Sequence, residues 1–142
     1  MIYSEELLEI ETDSLQLCQL IRESKVYQSY VACYHQLQTD QLAQEKIAVF
    51  RRSKEKFEQV EAYGKYAPDY KEKRRAVRQA KRCVDLDETV AQFRLKEREL
   101  QDLLDHITYE IAQAVSTDIK VDAGNPFFEF GDKGCGGQCH VR

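Results

Sequence analysis

The sequence predicts an all-α protein: an antiparallel bundle of about five helices, with a long C-terminal helix and a flexible Cys/Gly-rich tail. Three observations carry this expectation. Glycine and proline are scarce, six and two in 142 residues, and five of the six glycines lie beyond Gly64, leaving little material for hairpins or a sandwich. Apolar residues recur at three- and four-residue steps along most of the chain, the period of a helix with one covered face. Capping and breaking residues fall between those periodic stretches.

A first helix is expected to start near Ser4, or after Asp13 and Ser14, and to run to about Arg22, with Leu7, Leu8, Leu15, Cys18 and Ile21 on its apolar side. Val26, Tyr27, Tyr30, Val31, Tyr34 and Leu37 follow at helical spacing. Asp40 has the chemistry of a cap for a third helix, on which Ala43, Ile47, Phe50, Phe57 and Val60 form one stripe. Gly64 suits a helix stop and Pro68 the first turn of the next helix, so residues 64–69 read as a helix-to-helix turn. The fourth helix, from Pro68 to about Val84, carries Tyr70, Val77, Ala80 and Val84.

Asp85, followed three residues later by Glu88, has the form of a capping box opening the fifth helix. There Val90, Phe93, Leu100, Leu104, Ile107, Ile111 and Ala114 alternate by threes and fours, with Glu97 alone interrupting. A seam sustained over more than three heptads calls for antiparallel packing or a coiled-coil interface. Some 30 helical residues make a rod of roughly 45 Å, longer than a compact domain of this size, so part of the stripe is expected to pack on another subunit. The helical signal fades after Val115, Asn125-Pro126 breaks the chain, and residues 131–142 are Gly-rich. The expected organisation is a helical domain over residues 1–120 and a tail over 121–142, whose Gly-rich end at 131–142 orders only on a ligand or partner.

The net charge of −4 hides an asymmetry. Residues 46–82 hold thirteen Lys/Arg against five Asp/Glu, a net of +8, which leaves −12 for the remainder. Between Lys71 and Arg82 seven of twelve residues are basic, so Arg74, Arg75, Arg78, Lys81 and Arg82 could track a phosphate backbone. The competing reading is a solvated face, or one matched to the acidic ends. The tyrosines Tyr27, Tyr30, Tyr34, Tyr63, Tyr66 and Tyr70 could stack on bases, but their helical spacing favours core and interface packing.

No basic and apolar leader opens the sequence and no apolar run approaches the roughly 20 residues of a membrane span, so a cytoplasmic protein without membrane insertion is expected. In that compartment the five cysteines read as small hydrophobes, free thiols or metal ligands rather than a disulfide framework. Cys135 and Cys139, separated by Gly-Gly-Gln, can wrap one side of a soft metal or an iron–sulfur cluster. A tetrahedral zinc or a cubane needs about four ligands, so His140, Cys33, Cys83 or another chain would have to complete the set. Catalysis has little support. His35, His106 and His140 lie in unrelated segments, and no phosphate-binding loop, dinucleotide fingerprint or metalloprotease motif occurs.

The run FEQVEAYGKYAPDYKEKRRAVRQAKRCVDLDETVAQFRLKERELQDLLDHITYEIAQAVS, followed by GNPFF and a Cys/Gly tail, resembles the YlbF/YmcA family of small bacterial helical regulators. The most distinctive pieces are Tyr63-Gly64-Lys65-Tyr66 with Pro68 and Tyr70, the Leu86-Asp87 helix start, and Gly124-Asn125-Pro126-Phe127-Phe128. Among the family's branches the Cys/Gly-rich end looks like YlbF. The resemblance implies a non-catalytic subunit that joins YmcA-like and YaaT-like partners and acts with ribonuclease Y on selected messenger RNAs. Competence, sporulation and biofilm formation would follow from that role. It also implies a [4Fe–4S] cluster, with Cys135 and Cys139 matching the family's Cys-rich end and Cys33, then Cys83, as helix cysteines. Two tail thiols cannot complete a cubane, so such a cluster would be shared between chains. In isolation a homo-oligomer is expected, assembled through Phe50, Phe57 and the seam from Val90 to Ile111.

Overall fold

The computed structural model of the chain describes residues 5–126, the side chain of Lys65 excepted. These residues are all-helical: α1 (Glu5–Glu23), α2 (Lys25–Thr39), α3 (Gln41–Glu61), α4 (Tyr70–Asp85) and α5 (Glu88–Val115), with one 3₁₀ turn at Gly64–Tyr66. The last helix is the longest, 28 residues. The first helix takes the earlier of its two expected starts. Cys135, Cys139, His140 and the Gly-rich stretch around them lie outside the described residues.

Single polar residues make the breaks. Ser24 sits in extended backbone between α1 and α2; its hydroxyl accepts the Tyr27 N–H at 3.2 Å and donates to the Ile21 carbonyl at 2.7 Å. Asp40 caps α3 as expected, accepting the Ala43 N–H at 3.1 Å, and its other oxygen accepts the Thr89 hydroxyl at 2.7 Å.

Three boundaries differ from the sequence reading. α3 ends at Glu61, and Gly64, at φ +52°, opens the 3₁₀ turn rather than stopping the helix. Pro68 lies in the turn before α4 and not in its first turn. Asp85 does not open a capping box: α4 runs through it, and its carboxylate pairs with Lys81 at 2.7 Å and Arg94 at 2.6 Å. The cap of α5 is Asp87, which accepts the Val90 N–H at 3.1 Å. The shift has a local cause, since Asp87 stands at the capping distance from Val90, the first core residue of α5, and Asp85 does not.

The chain divides into two compact units, Met1–Glu97 and Arg98–Arg142. In the first, α3 and α4 form a hairpin, with Phe57 and Tyr70 in ring contact at 5.4 Å near its turn and Lys46 bonded to Asp87 near its open end. The core there is Leu37, Ala43, Val84 and Val90, flanked by Ile47, Phe50 and Phe93. Tyr30 and Tyr34 of α2 lie on Phe93 of α5, with centroids 5.7 and 6.1 Å away. α1 buries none of its residues. In the second unit the latter part of α5 is overlaid by the segment that follows it, which Asp105 ties down.

Candidate interaction surfaces

Two polar clamps frame the core of the first unit, and both bind the start of α5. Lys46 of α3 reaches the buried Asp87 at 2.6 Å, while Asp87 caps α5 with its second oxygen. The Lys46 ammonium and then the Val90 N–H hold the Asp87 pKa below its ordinary value. The Thr89 hydroxyl and the Ala43 N–H lower that of Asp40 in the same way. The start of α5 is thereby fixed to the core of the first unit.

The apolar stripe of α5 is covered unevenly. Val90 is buried and Phe93 is held by the two tyrosines, so this end of the seam belongs to the chain's own core. Leu100 and Ile107 are half-buried, whereas Leu104 and Ile111 are 37% and 53% exposed. Phe50 and Phe57 are half-buried in the α3–α4 hairpin. α1 adds further uncovered apolar side chains: Leu7, Leu8, Ile10, Leu15 and Leu20, spread around the helix, are all exposed. Burying such side chains is worth about 1.5–3 kcal/mol each, which gives them a strong tendency to be covered.

In the second unit, Asp105 is buried and takes three bonds. Its Oδ1 accepts the Gly124 N–H at 2.9 Å and the Gln101 amide at 2.8 Å, and its Oδ2 accepts the Asn125 N–H at 2.9 Å. The Asn125 amide also donates to Asp102 at 2.5 Å. Burial acts to raise the Asp105 pKa, but the Asn125 and Gly124 N–H groups with Gln101 outweigh it and lower it. A Cβ at Gly124 would stand 2.3 Å from the Gln101 side-chain nitrogen, so a larger residue there would push the Gln101 amide off Asp105. The Gly-Asn-Pro turn signals a chain break in sequence, but nothing in the sequence marks Asp105 as its anchor.

The other expected sites are spread out. Arg74, Arg75, Arg78, Lys81 and Arg82 are exposed on α4. Cys33 is half-buried on α2, Cys18 and Cys83 are exposed on α1 and α4, and all three are free thiols. Among the described residues no three of His, Cys, Asp and Glu converge as metal ligands, so the helix cysteines do not by themselves form a cluster site. His106 is exposed and stands 3.9 Å from Glu110, while its neighbour Asp105 points inward. Tyr30, Tyr34 and Tyr70 pack as expected, but Tyr63 and Tyr66 do not: they are 68% and 85% exposed, because the 3₁₀ turn carries them off the helical period. No described helix is long and apolar enough to cross a membrane.

The family described as control of competence regulator ComK, YlbF/YmcA, matches residues 10–116, from α1 through α5. This chain belongs to the YlbF/YmcA family. A curated family relative, regulatory protein YlbF of Bacillus subtilis (strain 168), is 42% identical over 134 residues, covering 94% of this chain and 89% of the relative. A chain in the crystal structure of Bacillus subtilis RicA in complex with RicF is similar at a TM-score of 0.74 and 40% identity, over 80% of this chain and 98% of that one. The YlbF/YmcA match thus includes the core of the first unit, the exposed apolar residues of α1 from Ile10 on, and those of α5.

Proposed function

We propose that this chain is a non-catalytic regulatory adaptor, a subunit that assembles with YmcA-like and YaaT-like partners and modulates ribonuclease Y-dependent mRNA processing. Competence, sporulation and biofilm development depend on it through that route. The observation that carries the reading is the uncovered apolar side chains, Leu7 to Leu20 around α1 and Leu104 with Ile111 on one face of α5. A helix without one buried side chain adds little to its own fold and is suited to serve a partner. The structural relative found in a complex of two proteins supports assembly as the mode of action. The name of the curated relative, a regulatory protein, supports a non-catalytic role.

The iron–sulfur reading rests on Cys135 and Cys139 with ligands from other chains, because the described cysteines bring together no ligand set. The test is anaerobic purification of the tagged chain from its host, with partners identified by mass spectrometry and iron and sulfide assayed. YmcA-like and YaaT-like partners are expected to co-purify. Iron that survives Cys135→Ala/Cys139→Ala would remove the tail from any ligand set, and purification without protein partners would overturn the adaptor reading.

A further inference from the structure

The basic row of α4 is an unused surface of unusual regularity. At 3.6 residues per turn, Lys71, Arg74, Arg75, Arg78, Lys81 and Arg82 share an arc of about 120°. Every position on that arc between Lys71 and Arg82 is cationic. The inward residues Val77, Ala80 and Val84 lie on the opposite side, so the row points away from the core. It is about 16 Å long, with a cation on each turn.

Internal ion pairing does not absorb it. Lys73, off the arc, pairs with Asp69, and Lys81 pairs with Asp85. Arg74, Arg75, Arg78 and Arg82 are exposed and join no ion pair among the described residues. Four of the five members without an ion pair are arginines, Lys71 being the fifth, and the planar arginine fork suits phosphate oxygens. At the N-terminal end of the same helix the 3₁₀ turn exposes the rings of Tyr63 and Tyr66.

From this we infer that α4 and the turn before it bind single-stranded nucleic acid, with the arginine row on the phosphates and Tyr63 and Tyr66 as stacking platforms for bases. A protein partner fits less well. Arginine and tyrosine do occur at protein interfaces, but interface cores are depleted in charge overall, and the arc places no apolar anchor among its cations. A single strand presents the two things this surface matches, a repeating anion and unpaired aromatic faces. The inference goes beyond the adaptor reading and does not depend on it, because it concerns the isolated chain.

The test is fluorescence anisotropy of the full chain with labelled oligouridylate, oligothymidylate and an RNA duplex over a salt series. The parent should bind both single strands, with affinity falling steeply as salt rises. Tighter binding of oligouridylate than of oligothymidylate would identify RNA as the ligand. Arg74→Gln/Arg75→Gln/Arg78→Gln/Arg82→Gln should abolish binding at moderate salt and flatten the salt slope by about 3, since each phosphate contact on a single strand contributes about 0.7. Tyr63→Ala/Tyr66→Ala should weaken single-strand binding about tenfold or more and leave duplex binding unchanged. Both variants should keep the parent's circular dichroism and melting temperature, as they change exposed side chains only. No single-strand binding by the parent at low salt, or binding indifferent to the four arginines, would overturn the inference. If the parent fails to bind RNA and the arginine variant changes its oligomeric mass, the row is a docking face for an acidic protein instead.

Discussion

Asp87 and Asp105 do most to fix the start of α5 and what lies on its latter part. Asp87 joins a helix cap to a contact with Lys46 of α3, and Asp105 gathers two backbone N–H groups and an amide onto one buried carboxylate. Asp40, Asp69, Asp85, Asp87 and Asp105 all have pKa values below the ordinary 3.8. A carboxylate depressed on folding stabilises fully above its unfolded pKa, and loses that contribution as pH falls through the lower folded value. Thermal stability should therefore show little dependence on these groups from pH 5 to 8 and should fall below about pH 4. Asp87→Ala should cost about 1–2 kcal/mol in denaturant titrations at neutral pH through loss of the cap. Asp105→Asn keeps the shape but places an amide donor against backbone donors. The Gly124 and Asn125 amides should then lose hydrogen-exchange protection while α5 retains its own, and unchanged protection would show that Asp105 is not the anchor.

Among the helices, much of the plan was legible in the residues. The five helices, the Asp40 cap and the stripe of α3 follow from period and polar punctuation, because each is a local property of the chain. What was not legible depends on partners distant in sequence. Asp85 and Asp87 both precede Glu88 closely, and only the positions of Lys46, Lys81 and Arg94 assign one to ion pairing and the other to the cap. Tyr63 and Tyr66 sit three residues apart like core tyrosines, yet the turn that begins at Gly64 exposes them. The heptad seam of α5 predicts a covered stripe but not by what: Val90 and Phe93 are covered by the chain itself, while Leu104 and Ile111 remain exposed. Ile111→Glu should accordingly change the stability of an isolated protomer by no more than about 0.5 kcal/mol, as exposed substitutions do, while lowering the mass of the assembly in sedimentation. An unaltered mass would mean that this part of α5 is not an assembly face.

Across the whole molecule, the described residues combine a small core with a large uncovered apolar area. The buried hydrophobic side chains are few and mostly small, Leu37, Ala43, Ala80, Val84, Val90 and Ala112, whereas sixteen large hydrophobic residues are exposed. Such a balance suits a subunit whose stability is completed by assembly, since partner binding adds to folding free energy by mass action. Membership of a family of regulators, and likeness to a chain seen in a two-protein complex, agree with that reading. The most direct measurement is the mass of the purified chain by light scattering, alone and mixed with a YmcA-like protein, together with its melting temperature in each state. Assembly predicts a mass above the 16.6 kDa of one chain and a melting temperature that rises when the partner is added. A monodisperse 16.6 kDa species that neither associates with the partner nor gains stability from it would contradict the account.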